Sequence, residues 1–256
     1  MSLSSRSVSA KDLYSNSNSN PNSNPSQDPI QVLPTALPKA KSPKDLPKVI
    51  YLDAFGTLFG LKGSVGDLYS NLARTASVIT DPHAVNQAFY QSFGSAESMA
   101  FPNVAAEAIP ELEYRWWQAV VSQTFEKVGA LDQFTDFDSF YAGLYGYFET
   151  AAPWRVYGDT LAALKRWQSM GIELGIISNF DSRLYRVLDV LGLRPYFQSV
   201  TISTEVGAAK PSAQIFQAAL QKHHCKAQEA WHIGDSQLDD YSGARAAGLH
   251  AILLDR

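Results

Sequence analysis

From Pro153 onward the chain alternates short apolar runs with amphipathic stretches, and few folds can follow that rhythm. Helical spacing marks 159–171, stopped by Gly171, then 181–192 with Asp181 as the expected N-cap, 211–224 with Pro211 in its first turn, and 237–248. Between them lie the strand candidates IELGIISN (172–179), FQSVTIS (197–203), AWHIG (230–234) and HAILL (250–254). Strand and helix repeated in this way imply an α/β fold with a mostly parallel sheet covered by helices on both faces. Ligands of such sheets gather at the carboxyl ends of the strands.

KVIYLDAF (48–55), directly after Pro47, is one more apolar strand candidate and joins the same sheet. Four helical candidates follow it, near 65–77, 83–94, 106–128 and 134–149. They therefore form an insertion, expected to pack as a small bundle that helps shape a substrate entrance. The division is a core of 48–61 and 151–256, with a helical cap of 62–150. The tryptophans of ELEYRWWQAVVSQTF read as packing residues of that cap.

Residues 1–47 are rich in Ser, Asn and Pro and have no apolar period, so they read as a disordered tail. The tail has no apolar signal-peptide core. Basic residues precede its first acid, Asp12, which leaves an organelle transit peptide as the alternative to a cytoplasmic protein. A formal charge of −4 with scattered Lys and Arg argues against a nucleic-acid partner. No run is apolar and long enough to span a membrane. Cys225 is the only cysteine, which excludes an internal disulfide and suits a reducing compartment. Its surroundings, KHHCKAQ with His223 and His224, read as a surface loop rather than a Cys–His site.

Asp53, Ser178 and Asn179, Lys210 and Asp235 each stand at or near a strand end, so a parallel sheet brings them to one edge. Two carboxylates so placed need a cation between them. With no Cys or His beside them, oxygen ligation of Mg²⁺ is expected rather than zinc. A small phosphate ester is the natural substrate: Asp53 attacks phosphorus, Lys210 absorbs charge, and Ser178 with nearby N–H groups holds the non-bridging oxygens.

DAFGTL (53–58), SN (178–179), AAKP (208–211) and GDSQLDDYSGA (234–244) resemble the four successive motifs of the haloacid dehalogenase-like (HAD) hydrolase superfamily. SVGDLY (64–69), SNFDSRL (178–184) and GDSQLDDYSGARAAG (234–248) are similar to its branch of haloacid dehalogenase-like hydrolase domain-containing protein 3. The resemblance implies a Rossmann-like core with an inserted helical cap. It implies Asp53 as nucleophile and metal ligand, the Phe55 backbone carbonyl and Asp235 as further ligands, and Thr57 and Ser178 on phosphoryl oxygens. Asn179 shapes that loop and Lys210 steadies the nucleophile. The last family acid matches Asp240, eight residues before Gly248, or less well Asp239.

One position departs from the pattern. The residue two after the nucleophile is commonly a second Asp that protonates the leaving oxygen, and here it is Phe55. Such assistance is worth about 10²–10⁴ in rate. A slow Mg²⁺-dependent phosphatase is the first reading, and a phosphate-site protein with a regulatory or assembly role the second. A 2-haloacid dehalogenase is the third, since DAFGTLF is similar to the dehalogenase form; the retained Asp235 argues against it. Lys62, Arg74, Arg115 and Trp117 of the cap can be read as substrate contacts or as surface charge and packing. Arg183 reads as an exposed helix residue, with an anion or cap contact as the alternative. Chain length leaves the oligomeric state open.

Overall fold

The structure, a computed structural model, describes residues 30–34 and 46–256. Five parallel strands form one sheet: β1 (Val49–Leu52), β4 (Glu173–Ser178), β5 (Ser199–Ile202), β6 (Ala230–Gly234) and β7 (His250–Leu253), in spatial order β5-β4-β1-β6-β7. Register runs Leu52 to Ile176 on one side of β1 and Leu52 to Ile233 on the other. β1, β4 and β6 are apolar runs rather than alternating ones because both of their faces are covered, and Val49–Leu52 is completely buried. β2 (Phe59–Leu61) and β3 (Trp154–Val156), which the sequence pattern does not mark, pair separately as a two-stranded sheet.

The helices fall where apolar side chains recur. α5 (Thr160–Ser169) buries Ala163, Leu164 and Trp167 and packs on β4. α6 (Arg183–Val190) buries Leu184, Val187 and Leu188. A single turn, α7 (Ser203–Val206), precedes α8 (Ala213–Lys222), whose Ile215, Phe216 and Ala219 meet Val49, Tyr51 and Ile177 of the sheet. α8 starts two residues later than Pro211 suggests. Ser212 is its cap, accepting from the Gln214 N–H at 3.3 Å, and Pro211 lies outside it on a cis peptide bond. The last expected helix is a π-helical stretch, Gln237–Ser242, running into the short α9 (Gly243–Ala246).

Two compact units result. The first comprises Leu61–Ser98 and Tyr114–Phe148 and holds α1 (Val65–Thr75), α2 (Pro82–Ser95), α4 (Phe137–Tyr147) and most of α3 (Ile109–Lys127). Its core is aromatic, with Tyr69, Phe89, Phe125, Phe134 and Tyr141 packed edge-to-face or stacked, and Trp116 and Trp117 lie against it through Phe93. Ser64 and Asp67 close a reciprocal cap on α1, and Asp81 and Asp136 cap α2 and α4.

The second unit takes the sheet and also Met99–Glu113, which the sequence reading places in the insertion. That segment is tied down by main-chain and carboxylate bonds. Ser203 Oγ donates to Met99 O at 2.8 Å, and buried Glu113 accepts from both the N–H (2.9 Å) and the hydroxyl of Ser182. Burial pushes the Glu113 carboxyl up, against the Ser182 bonds that lower it.

Most of the stretch read as a tail lies outside the described residues. Within Ile30–Pro34, however, the chain is ordered against the core, so the disordered reading does not hold there. Ile30 bridges Leu254 in parallel, donating to Leu253 O at 2.9 Å and accepting from Asp255 N at 2.7 Å. Leu33 is buried and its N–H donates to Asp159 Oδ2 at 2.6 Å. Three apolar residues, Ile30, Val32 and Leu33, gave too short a pattern to read.

Candidate active site

Each strand of the parallel sheet ends at the same edge, and the polar residues carried past those ends converge there. Asp53 follows β1, Ser178 closes β4, and Asp235 follows β6. Ser178 Oγ donates to Asp53 Oδ1 at 2.9 Å, and Lys210 Nζ donates to the same oxygen at 2.6 Å. Asp53 Oδ2 accepts from no donor among the described residues. Lys210 is buried and makes two more bonds, to Asp240 Oδ1 at 2.5 Å and to the carbonyl of Ile177 at 3.0 Å, so all three of its protons are used.

Asp240 rather than Asp239 is the acid that meets Lys210. The wide π-turn brings it back beneath the end of β6, where Ser236 N donates to its Oδ2 at 2.9 Å and His232 Nε2 lies 2.8 Å from Oδ1. Glycine is required at position 234, since a Cβ there would stand 2.2 Å from Asp240 Cγ. Gly56 is required for two reasons: its φ is +87° and a Cβ would stand 2.4 Å from Asp235 Oδ2.

Thr57 and Ser178, expected on phosphoryl oxygens, each donate to a carboxylate of the site, and Asn179, expected to shape its loop, bonds the backbone of Lys210. The Asn179 amide donates to Lys210 O at 3.0 Å and accepts from Lys210 N at 2.7 Å, so it fixes the backbone that presents the lysine. Thr57 is fully buried and its Oγ1 donates to Asp235 Oδ1 at 3.1 Å. Phe55 bridges Phe59 through the backbone, and its ring stands edge-to-face with Trp154 at 6.1 Å.

The electrostatics are lopsided. Burial, with the charge of Asp240, raises Asp53, while Lys210 and Ser178 lower it. Burial and the charges of Asp53 and Asp240 push Asp235 up to about 7, and burial lifts Asp239 to about 6. Burial would raise Asp240 too, but Lys210 and His232 hold it well below the usual carboxylate range. Lys210 is held above its ordinary value by the two carboxylates despite its burial. One ammonium thus serves three carboxylates, Asp53, Asp235 and Asp240, each offering an oxygen within 4.8 Å of the others. That all-oxygen set, with Asp235 driven toward protonation, fits a hard divalent cation, and Asp53 and Asp235 are the residues to hold it. Asp240 is already committed to Lys210 and His232.

A haloacid dehalogenase-like hydrolase family model matches residues 47–248. The chain belongs to the haloacid dehalogenase-like hydrolase family. It is 35% identical over 207 residues to haloacid dehalogenase-like hydrolase domain-containing protein 3 of Mus musculus, covering 81% of each chain. Among solved structures it is similar to a HAD phosphatase from Thermococcus onnurineus, with TM-score 0.55 and 22% identity over 82% of this chain and 86% of that one. It is equally similar to L-2-haloacid dehalogenase from Xanthobacter autotrophicus, with TM-score 0.55 and 18% identity over 80% and 76%. At these identities the shared HAD architecture is the fold alone, and the side chains must separate the chemistries.

One residue of this edge, His232, had no reading from sequence, and the readings of Arg183 and of KHHCKAQ need correction. His232 is fully buried and touches Asp240; its signal was a polar residue inside the apolar run AWHIG. Arg183 is not an exposed helix residue: it is buried and holds Asp181 with Nε at 2.9 Å and Nη2 at 2.6 Å. Asp181 also accepts from the Arg183 N–H at 2.9 Å, but it lies one residue before the cap position of α6, which is Ser182 rather than the expected Asp181. KHHCKAQ is not a simple surface loop either. His223 is buried at the amino edge of the sheet, with Nε2 2.6 Å from Ser199 Oγ and Nδ1 2.5 Å from Glu173 Oε2. Lys62, Arg74 and Arg115 are exposed, and Arg74 donates to Asn71 at 3.2 Å. No helix among the described residues is long and apolar enough to cross a membrane.

Proposed function

We propose that this HAD hydrolase is a slow, Mg²⁺-dependent phosphohydrolase of a small phosphate monoester, acting through an aspartyl-phosphate on Asp53. The observation that carries the reading is buried Lys210, clamped between Asp53 and Asp240, beside the acidic Asp235. Asp53 Oδ1 is held by Ser178 and Lys210, which leaves Oδ2 to attack phosphorus. Lys210 keeps its proton throughout and offsets charge gathering on the transferred group. Asn179 keeps the lysine in position through its backbone, and Asp240 with His232 fixes its far side. Asp53, Asp235 and the Phe55 carbonyl would hold a Mg²⁺, which would supply charge neutralisation for the phosphoryl oxygens. Phe55 has no proton to give, and the missing assistance is worth about 10²–10⁴ in rate.

That same residue favours a second reading, a protein that retains the phosphate site but turns over too poorly for metabolism and serves a regulatory or assembly role. Attack on carbon, as in a 2-haloacid dehalogenase, needs no leaving-group acid, but it gives Asp235 nothing to do. Phosphate release from an activated aryl phosphate with Mg²⁺, compared with Asp53→Asn and a chelator control, separates them. Metal-dependent release lost in D53N supports the phosphohydrolase. A folded, Mg²⁺-binding chain with no release above D53N supports the second reading, and halide release from a 2-haloacid the dehalogenase.

A further inference from the structure

We infer that the leaving group served by this site is a planar, apolar one that departs as a weakly basic oxyanion, an aryl phosphate by chemical class, seated against the ring of Phe55. The inference rests on the phosphohydrolase reading above and narrows it to one side of the reacting phosphorus.

Six large apolar side chains are exposed among the described residues, and two of them flank the site. Phe55 is 36% exposed, two residues after Asp53, and Leu238 is 42% exposed, three after Asp235. Scattered exposed apolar residues are ordinary. Phe55 differs because it is backed. Its ring stands edge-to-face on Trp154, which is itself only 5% exposed and contacts Phe59 at 5.4 Å and Phe180 at 6.5 Å. Phe180 directly follows Asn179, so the aromatic bank runs from the Asp53 loop to the loop that carries Ser178 and Asn179. A ring held by neighbours in this way is organised before a ligand arrives, and little side-chain freedom is lost when another ring packs on it.

The chemistry points the same way. No proton donor stands two residues after Asp53, so the leaving oxygen departs without help from that position. A phenolate-type oxygen can do so, and an alkoxide cannot do so readily. In the first step Asp53 Oδ2 forms a bond to phosphorus while the bond to the leaving oxygen breaks. The electron pair stays on that oxygen, which takes its proton from solvent after release. Water then attacks phosphorus, the bond to Asp53 breaks with its pair returning to the carboxylate, and the water's proton passes to solvent as phosphate ionises. The missing acid and the exposed ring therefore select one ligand class for separate reasons.

The test measures kcat/KM of the full chain with Mg²⁺ for aryl phosphates of graded leaving-group acidity and for two alkyl phosphates, one apolar (cyclohexylmethyl phosphate) and one polar (glycerol phosphate). Phe55→Leu and Phe55→Asp are assayed alongside. A steep dependence on leaving-group acidity is expected, with both alkyl esters at least about 10²-fold slower than the aryl ones. F55L should keep that slope and raise KM for aryl esters several-fold. F55D should flatten the slope and raise alkyl turnover. Comparable rates for alkyl and aryl esters, or an F55L enzyme with unchanged aryl KM, would overturn the inference while leaving the phosphohydrolase standing. Absence of Asp53-dependent release from every ester would remove both.

Discussion

The two edges of the sheet each hold a polar network, buried at the carboxyl edge and half open to solvent at the amino edge, and they are built on opposite principles. At the amino edge, His223 lies between Ser199 and Glu173, and Lys48 donates to the His223 and His224 carbonyls at 2.9 and 3.2 Å, at the end of α8. Donors there meet acceptors, and the lysine sits where a helix end attracts a cation. At the carboxyl edge, three carboxylates crowd one ammonium, and burial drives Asp235 up to about 7. A network that serves the fold is balanced within itself. The imbalance at the other edge is what a bound cation and a transferred phosphoryl group would complete.

The largest test of that contrast is Lys210→Met. It leaves Asp53 and Asp240 buried without their cation, and loss of about 3–5 kcal/mol of stability is expected in chelator, read by denaturant unfolding. A loss below about 1 kcal/mol would mean the site is wetter and less charged than its burial indicates.

Asp235→Asn should do the reverse. In chelator the folded chain keeps a proton on Asp235 to about pH 7, whereas the unfolded chain gives it up near 3.8. The folded state then binds more protons, so metal-free stability falls as pH rises from about 4 through 7. D235N should flatten that fall, raise the metal-free Tm at pH 8, and abolish the further rise on adding Mg²⁺. A D235N protein that melts lower than wild type in chelator at pH 8 would show that the carboxylate is not in excess.

Glu173→Gln, at the balanced edge, is the smallest change. The Glu173 side chain is 41% exposed, so a cost of about 1 kcal/mol or less is expected, with phosphate release unaltered. A loss of activity in E173Q would break the separation of the two edges.

Much of the carboxyl edge could be read from sequence because of one repeated arrangement. A buried parallel strand is an unbroken apolar run, and the first polar residue past it must lie at the sheet's edge. Asp53, Ser178 and Asp235 follow from that rule alone, Lys210 joins by its position before a helix, and Asp240 through motif resemblance. What escaped depends on partners distant in the chain. Glu113 finds Ser182 across 69 residues, His223 finds Glu173 across 50, and neither pairing leaves a local period. Arg183 misled because a charged residue in a short helix is usually exposed, and its burial is set by Asp181 two residues before it. β2 and β3 are only three residues each, too short to show alternation.

The strand order leaves β5 and β7 at the margins, where unpaired main-chain groups invite pairing with another chain. Neither margin is left open along its whole length. Ile30 lies along the end of β7, donating to Leu253 O and accepting from Asp255 N. On β5, the Lys222 ammonium donates to Val200 O at 2.5 Å, placing a charge where an incoming strand would have to bond. A few residues far from the chemistry thus discourage the sheet from extending itself, and a chain shortened past Ile30 would lose one of its two guards against aggregation.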